Sequence, residues 1–200
     1  MNKKSRILII VSVLGAAMII CCTLAFCWLL RGQTREISRD PKDYGNWALP
    51  EKYSERLIFP GEIPDTATEI VYYYKYQDGW GRPMCQIFLQ CRLAETEFNA
   101  EVSRLGQISS VVGDEQLTVK YDVESFLYPA YVTIEGYDFC YEYALINEVD
   151  REIIYAYAMN TMYRDMGYDR KYLPDYFMEG FEDFSVDGLE RFTIYGGYSE

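Results

Sequence analysis

The chain reads as an α+β protein: one N-terminal transmembrane helix, then a mostly antiparallel β-sheet domain with one main packed helix at about residues 94–105. Three features of its 200 residues carry this reading. Residues 7–30 hold no charge and are flanked by Lys3, Lys4 and Arg6 on one side and Arg31 on the other. From residue 68 onward, segments rich in β-branched and aromatic residues alternate with the two-residue period of strands. Among these strands, one segment takes up helical spacing instead.

The apolar run comes first. At about 1.5 Å per residue it covers roughly 36 Å as a helix, enough to cross a hydrocarbon core of roughly 30 Å with some tilt. A cleaved signal peptide has a shorter core, about 7 to 15 residues, closed by small residues. This run ends Phe26-Cys27-Trp28-Leu29-Leu30, bulky throughout, and Phe26 also spoils a lipoprotein-type acylation site at Cys27. It therefore reads as a signal-anchor. Gly15, Ala16 and Ala17 form a small-residue patch on which such a helix pairs with another in the membrane. The unopposed Lys3, Lys4 and Arg6 predict a cytoplasmic tail over 1–6 and a domain outside the cell.

Residues 31–57 are polar, broken by Pro41 and Pro50, and read as a stalk, with a short helix expected over 50–57. The domain is expected over 58–200, where Phe59-Pro60-Gly61-Glu62-Ile63-Pro64 excludes regular structure at its start. Thr68 to Tyr76 alternates Ile70, Tyr72, Tyr74 and Tyr76 against Glu69, Val71, Tyr73 and Lys75 and is the first strand. A turn through Asp78-Gly79-Trp80-Gly81 leads to a second strand, Met84 to Leu93, which makes a hairpin. Phe98, Val102 and Leu105, spaced four and three apart, then define an amphipathic helix closed by Gly106. Further strands are expected over 116–121, 128–135, 138–147 and 152–162, the last three as a meander. A short helix over 174–181 and a final strand over 190–195 complete the list. A domain of this length buries its own core without staples.

Composition narrows the chemistry. The 31 acidic residues all lie after residue 31, against 15 of the 19 basic ones, so the exterior part carries −16. Such a surface repels nucleic acid and anionic lipid headgroups, so neither is an expected partner. Histidine is absent, which excludes Ser-His-Asp and Cys-His catalysis and histidine-containing zinc sites. Carboxylate chemistry, a Ser-Lys pair or no chemistry remain, and the exterior lysines lack a serine at helical spacing except for Ser38 and Lys42. Glu179, Glu182, Asp183 and Asp187 read as a solvated acidic surface without the glycine and glutamate positions of an EF-hand loop. No catalytic, cofactor-binding or metal-binding residue is assigned.

Outside the span lie Cys85, Cys91 and Cys140. The first two fall six residues apart in one strand, about 20 Å in extended chain, and cannot bond to each other. They share a face with Ile87, Leu89 and Leu93 and are expected as small core residues, the alternative being a disulfide with Cys140. Twenty tyrosines cluster in the strands, where packing alone favours aromatic rings. Trp80, between glycines in the hairpin turn, and Tyr73, on the alternation shared with Glu69 and Lys75, are the candidate partner contacts.

The functional expectation is a membrane-anchored, extracytoplasmic binding or interaction module of a bacterial envelope, touching the bilayer through 7–30 and recognising an envelope component or another membrane protein. The alternatives are a carboxylate-type enzyme acting on glycans and an accessory subunit of a membrane complex.

Overall fold

A computed structural model describes residues 15–16, 18–24, 35–47, 56–78, 83–108, 118–135, 140–161, 163–175 and 177. Its centre is a seven-stranded antiparallel sheet: β1 (Arg35–Ser38), β2 (Thr68–Gln77), β3 (Met84–Arg92), β4 (Thr118–Asp122), β5 (Ala130–Glu135), β6 (Cys140–Asn147) and β7 (Glu152–Met159). The spatial order is β1-β2-β3-β7-β6-β5-β4. Two meanders, β1 to β3 and β4 to β7, therefore meet at the β3–β7 seam, where Cys85 lies opposite Met159 and Arg92 opposite Glu152. Helix α1 (Glu95–Gln107) lies on the long connection from β3 to the far edge.

Each expected strand from 68 to 162 is present within about two residues at each end, except that the last stops at Met159. The expected short helix over 50–57 lies largely, that over 174–181 partly, and the strand over 190–195 wholly outside the described residues. Phe177 N–H closes a turn onto Pro174 O at 2.9 Å.

Alternation along the strands gives the sheet two buried faces. The first carries Tyr72, Tyr74 and Tyr76 from β2, Ile87 and Leu89 from β3, and Ile153, Tyr155 and Tyr157 from β7. It packs beneath Phe98 and Leu105 of α1 and beneath Ile58, Phe59 and the half-buried Tyr44 and Trp47. The second carries Tyr73, Phe88, Tyr143, Leu145 and Ile154, beneath Phe126, Tyr172, Leu173 and Phe177. Burial on both faces explains why the central strands read as nearly continuous apolar runs.

The second cover is a strap over residues 163–177, and β3 holds it by a side chain. Gln86, fully buried, donates from Nε2 to Asp165 O at 2.9 Å and accepts at Oε1 from Gly167 N–H at 2.8 Å. It imitates a peptide group and satisfies the strap's backbone. Gly167 presses so closely on the Tyr73 ring that a Cβ there would lie 2.1 Å from Tyr73 Oη. Tyr143 Oη donates to Tyr172 O at 2.9 Å, and Phe88 stacks on Tyr168 at 4.8 Å between centroids.

Two departures from the sequence reading, at Gly106 and at the stalk, have physical causes, and the cysteines follow the expected reading. Gly106 does not close α1, which runs on to Gln107 and is capped by Ile108 N–H bonding Leu105 O. Its hydrogen side chain instead admits the Tyr131 hydroxyl, 3.3 Å from where a Cβ would stand. The segment 31–57 was expected as a stalk, yet its described parts pack on the domain. Strand β1 adds to β2, and Tyr44 donates to Pro60 O at 2.6 Å while Trp47 Nε1 donates to Tyr72 Oη at 2.9 Å. Cys85, Cys91 and Cys140 are buried thiols with no disulfide. Cys85 and Cys140 flank Met159 in one row, two strands apart, a separation of about 10 Å that no disulfide spans.

Candidate functional site

Where the loop Pro60–Pro64 passes over α1 and the first face of β3 and β7, it leaves a half-open cavity of about 390 Å³. Its floor is Cys91, Leu93 and Tyr155, its rim Pro60 and Pro64, and its helical wall Glu97, Ala100, Glu101 and Arg104. The wall follows from helical spacing: 97, 100, 101 and 104 lie on one stripe, adjoining the one that buries Phe98 and Leu105. The two prolines stiffen the loop that roofs it. Volume and mostly apolar lining fall within the ordinary range for small-ligand sites.

The polar groups of this cavity are already engaged. Arg104 donates from Nε to Glu101 Oε2 at 2.7 Å and from Nη2 to Glu101 Oε1 at 2.6 Å, a two-pronged pair across three residues. Tyr155 Oη donates to the same Oε1 at 2.7 Å. Burial, then the adjoining Glu101, pushes the Tyr155 hydroxyl well above its ordinary value, so it is a permanent donor. Thr66 Oγ1 donates to Glu97 Oε2. Burial, with Glu101 and Glu152 adding to it, pushes the Cys91 thiol up to about 12, so the floor holds an inert thiol rather than a thiolate.

Arg104 also reaches the loop, from Nη2 to Ile58 O at 2.6 Å and from Nη1 to Leu57 O at 3.3 Å. The N–H sides of the same peptides are bound by Glu142 of β6. Its Oε1 accepts from Ile58 N–H at 2.9 Å and Phe59 N–H at 3.1 Å, and Oε2 accepts from Leu57 N–H at 3.1 Å. Residues 57–59 are thus clamped between a cation on α1 and an anion on the sheet, which fixes the loop that roofs the cavity. Burial pushes the Glu142 carboxyl above the ordinary carboxylate value, opposed by those three N–H groups and by Arg56. The Arg56 guanidinium carbon stands 3.7 Å from the Tyr157 ring centroid.

The sequence candidates fall elsewhere. Tyr73 is 7% exposed on the second face, with the Arg39 guanidinium 5.4 Å from its ring. Trp80 and Ala17 lie outside the described residues. Gly15 and Ala16 are helical, with open space around Gly15. Tyr72, Tyr74, Tyr76, Tyr141, Tyr143, Tyr155 and Tyr157 are all buried, so these strand tyrosines are core residues. Among the described residues, no group of three or more acidic or cysteine side chains is placed to hold a metal.

Sequence reasoning missed Glu142, Glu101, Arg104 and Tyr155. Two signals were present: a lone acid inside the apolar strand Cys-Tyr-Glu-Tyr-Ala-Leu-Ile, and a Glu-x-x-Arg spacing on a helix. No family model, no curated protein and no solved structure matches the chain.

Proposed function

We propose that the chain is an extracytoplasmic binding module, tethered to a cell envelope by one span over 7–30 with its N-terminus in the cytoplasm. Its recognition site is the cavity beneath Pro60–Pro64. The observation that carries this is a preformed, mostly apolar bowl whose ionised groups are committed to shaping it: Glu101 to Arg104 and Tyr155, Glu97 to Thr66. Groups so held shape the bowl. The occupant fitting this bowl is a small apolar group, a side chain or the edge of a sugar ring.

For the span, support comes from the uncharged sequence and from the helical residues 18–24, where Met18, Ile19, Ile20 and Leu24 are each more than half exposed. Apolar side chains directed outward belong in lipid. Among the described residues no helix is long and apolar enough to cross a membrane, and most of 7–30 lies outside them.

One observation favours a second reading, a carboxylate-type enzyme acting on glycans: Glu97 and Glu101, one turn apart, line the same cavity beside Tyr155. The two readings part at Glu101→Gln. Under either reading Glu101→Gln loses the Arg104 pair and melts earlier, but only an enzyme has glycan turnover for the substitution to abolish. The binding reading is tested with a photo-crosslinking amino acid at Ala100, which lines the cavity, and at Asn99, which is exposed on the same helix but does not. A discrete adduct from position 100 alone supports it. No adduct from 100, or equal adducts from both, overturns it.

A further inference from the structure

Only four residues separate the apolar run from β1, a reach of about 14 Å fully extended. A domain on so short a leash does not stand off the bilayer, and its β1–β2 edge is the part nearest the lipid. This rests on the anchor and topology proposed above.

The register decides what that edge presents. Arg35 lies opposite Gln77 and Ile37 opposite Lys75. Lys75 shares its side of β2 with Tyr73, so Arg35, Ile37 and Lys75 lie on the second face, where Arg39 covers the Tyr73 ring. Arg35 and Arg39 are exposed, Ile37 is 45% exposed and Lys75 is partly so. The nearby acids face elsewhere or have other partners, and those bound only by a neutral donor keep their charge. Glu36 lies opposite Tyr76 on the first face, Asp40 accepts from Lys42 N–H, Asp43 accepts from Ser38 Oγ at 2.5 Å, and Asp165 pairs with Arg164 at 3.7 Å. The ion pairs found among the described residues are Arg92–Glu69, Arg104–Glu101, Arg151–Glu95, Arg164–Asp165 and Lys171–Asp169, none of which draws on Arg35, Arg39 or Lys75, although Lys75 Nζ donates to the strap at Asp165 O at 3.5 Å.

We infer that this edge docks on the phosphate groups of anionic lipid headgroups, with Arg35, Arg39 and Lys75 as the cations and Ile37 as the apolar contact between them. The rest of the exterior part, with 12 basic against 31 acidic residues or −19, is repelled by the same surface, which leaves one orientation. A basic side chain near an anionic surface multiplies the docked population about fivefold, and three together about a hundredfold. Docking would hold the Pro60–Pro64 cavity in a fixed attitude to the membrane, as a site serving membrane-bound ligands requires.

The test uses the full chain in lipid nanodiscs of phosphatidylcholine alone or with phosphatidylglycerol, read by amide hydrogen exchange over residues 35–42. Exchange there slows at least severalfold in the anionic discs, and the protection disappears in high salt and in R35Q/R39Q/K75Q but persists in the control K171Q. Equal exchange in both lipids, the behaviour of an edge made for an acidic protein, overturns the proposal, as does protection that survives the triple variant. A chain that the discs do not retain overturns the anchor itself. Retention without lipid-dependent protection overturns the docking alone.

Discussion

Truncating Glu142 to alanine removes the acceptor of three backbone N–H groups at once. Two belong to Ile58 and Phe59, which are 0% and 4% exposed, so bulk water does not replace the carboxylate. A buried donor left without an acceptor costs about 1–3 kcal/mol, so the two buried donors together lose about 4 kcal/mol. With about 3–4 °C per kcal/mol for a domain of this size, the midpoint falls by roughly 12–16 °C. Glu142→Gln keeps an oxygen for Ile58 and Phe59 but turns its NH₂ toward Leu57 N–H, so a smaller loss of about 1–2 kcal/mol is expected. The assay is thermal unfolding of the full chain in detergent, followed by near-ultraviolet circular dichroism. The pH dependence is a second signature. Because the folded carboxyl holds its proton to higher pH than the unfolded one, Glu142's contribution is complete below the unfolded value of 4.5 and is lost as pH rises through the folded value. E142Q removes that slope. An E142A variant within about 1 kcal/mol of the parent would refute the clamp on residues 57–59.

Gly167→Ala is expected to cost about 1–3 kcal/mol by overpacking, because its Cβ would overlap the Tyr73 ring, and urea unfolding measures it. Thr133 Oγ1 is buried with no hydrogen-bond partner among the described residues, so Thr133→Val is expected to stabilise by about 1 kcal/mol in the same assay. Cys85, Cys91 and Cys140 should resist a thiol reagent at pH 8 until the domain unfolds, since all three are buried and burial raises the thiols of Cys85 and Cys91; prompt modification of any of them counts against the packing described. Ala100→Trp should abolish capture of the ligand by the cavity and leave the melting temperature within a few degrees, as Ala100 is exposed.

Strands β2 to β7 and helix α1 were legible because each carries a period set by burial, two for the strands and 3.6 for the helix. Strand β1 was not. Arg-Glu-Ile-Ser holds one apolar residue, and its pairing comes from the exposed backbone edge of β2 rather than from its own side chains. The strand order was equally hidden, because the crossover that carries β4 to the far edge is a long-range choice with no local marker. Gly106 misled for a related reason: a glycine near a helix end serves equally as a cap or as room for a neighbour, and Tyr131 is 25 residues away in sequence. The site was the least legible part. Its carboxylates and arginine act on backbone groups of a distant loop, and sequence spacing records side-chain chemistry far better than side-chain-to-backbone bonds.

The central claim, a recognition domain held outside a membrane by one span, is tested most directly by a membrane-impermeant amine reagent on intact expressing cells stripped of any outer barrier, with modified lysines located by mass spectrometry. The expected pattern is modification of the exposed Lys171 in intact cells, with Lys3 and Lys4 modified only after lysis. Labelling of Lys3 and Lys4 in intact cells while Lys171 stays protected until lysis would contradict it.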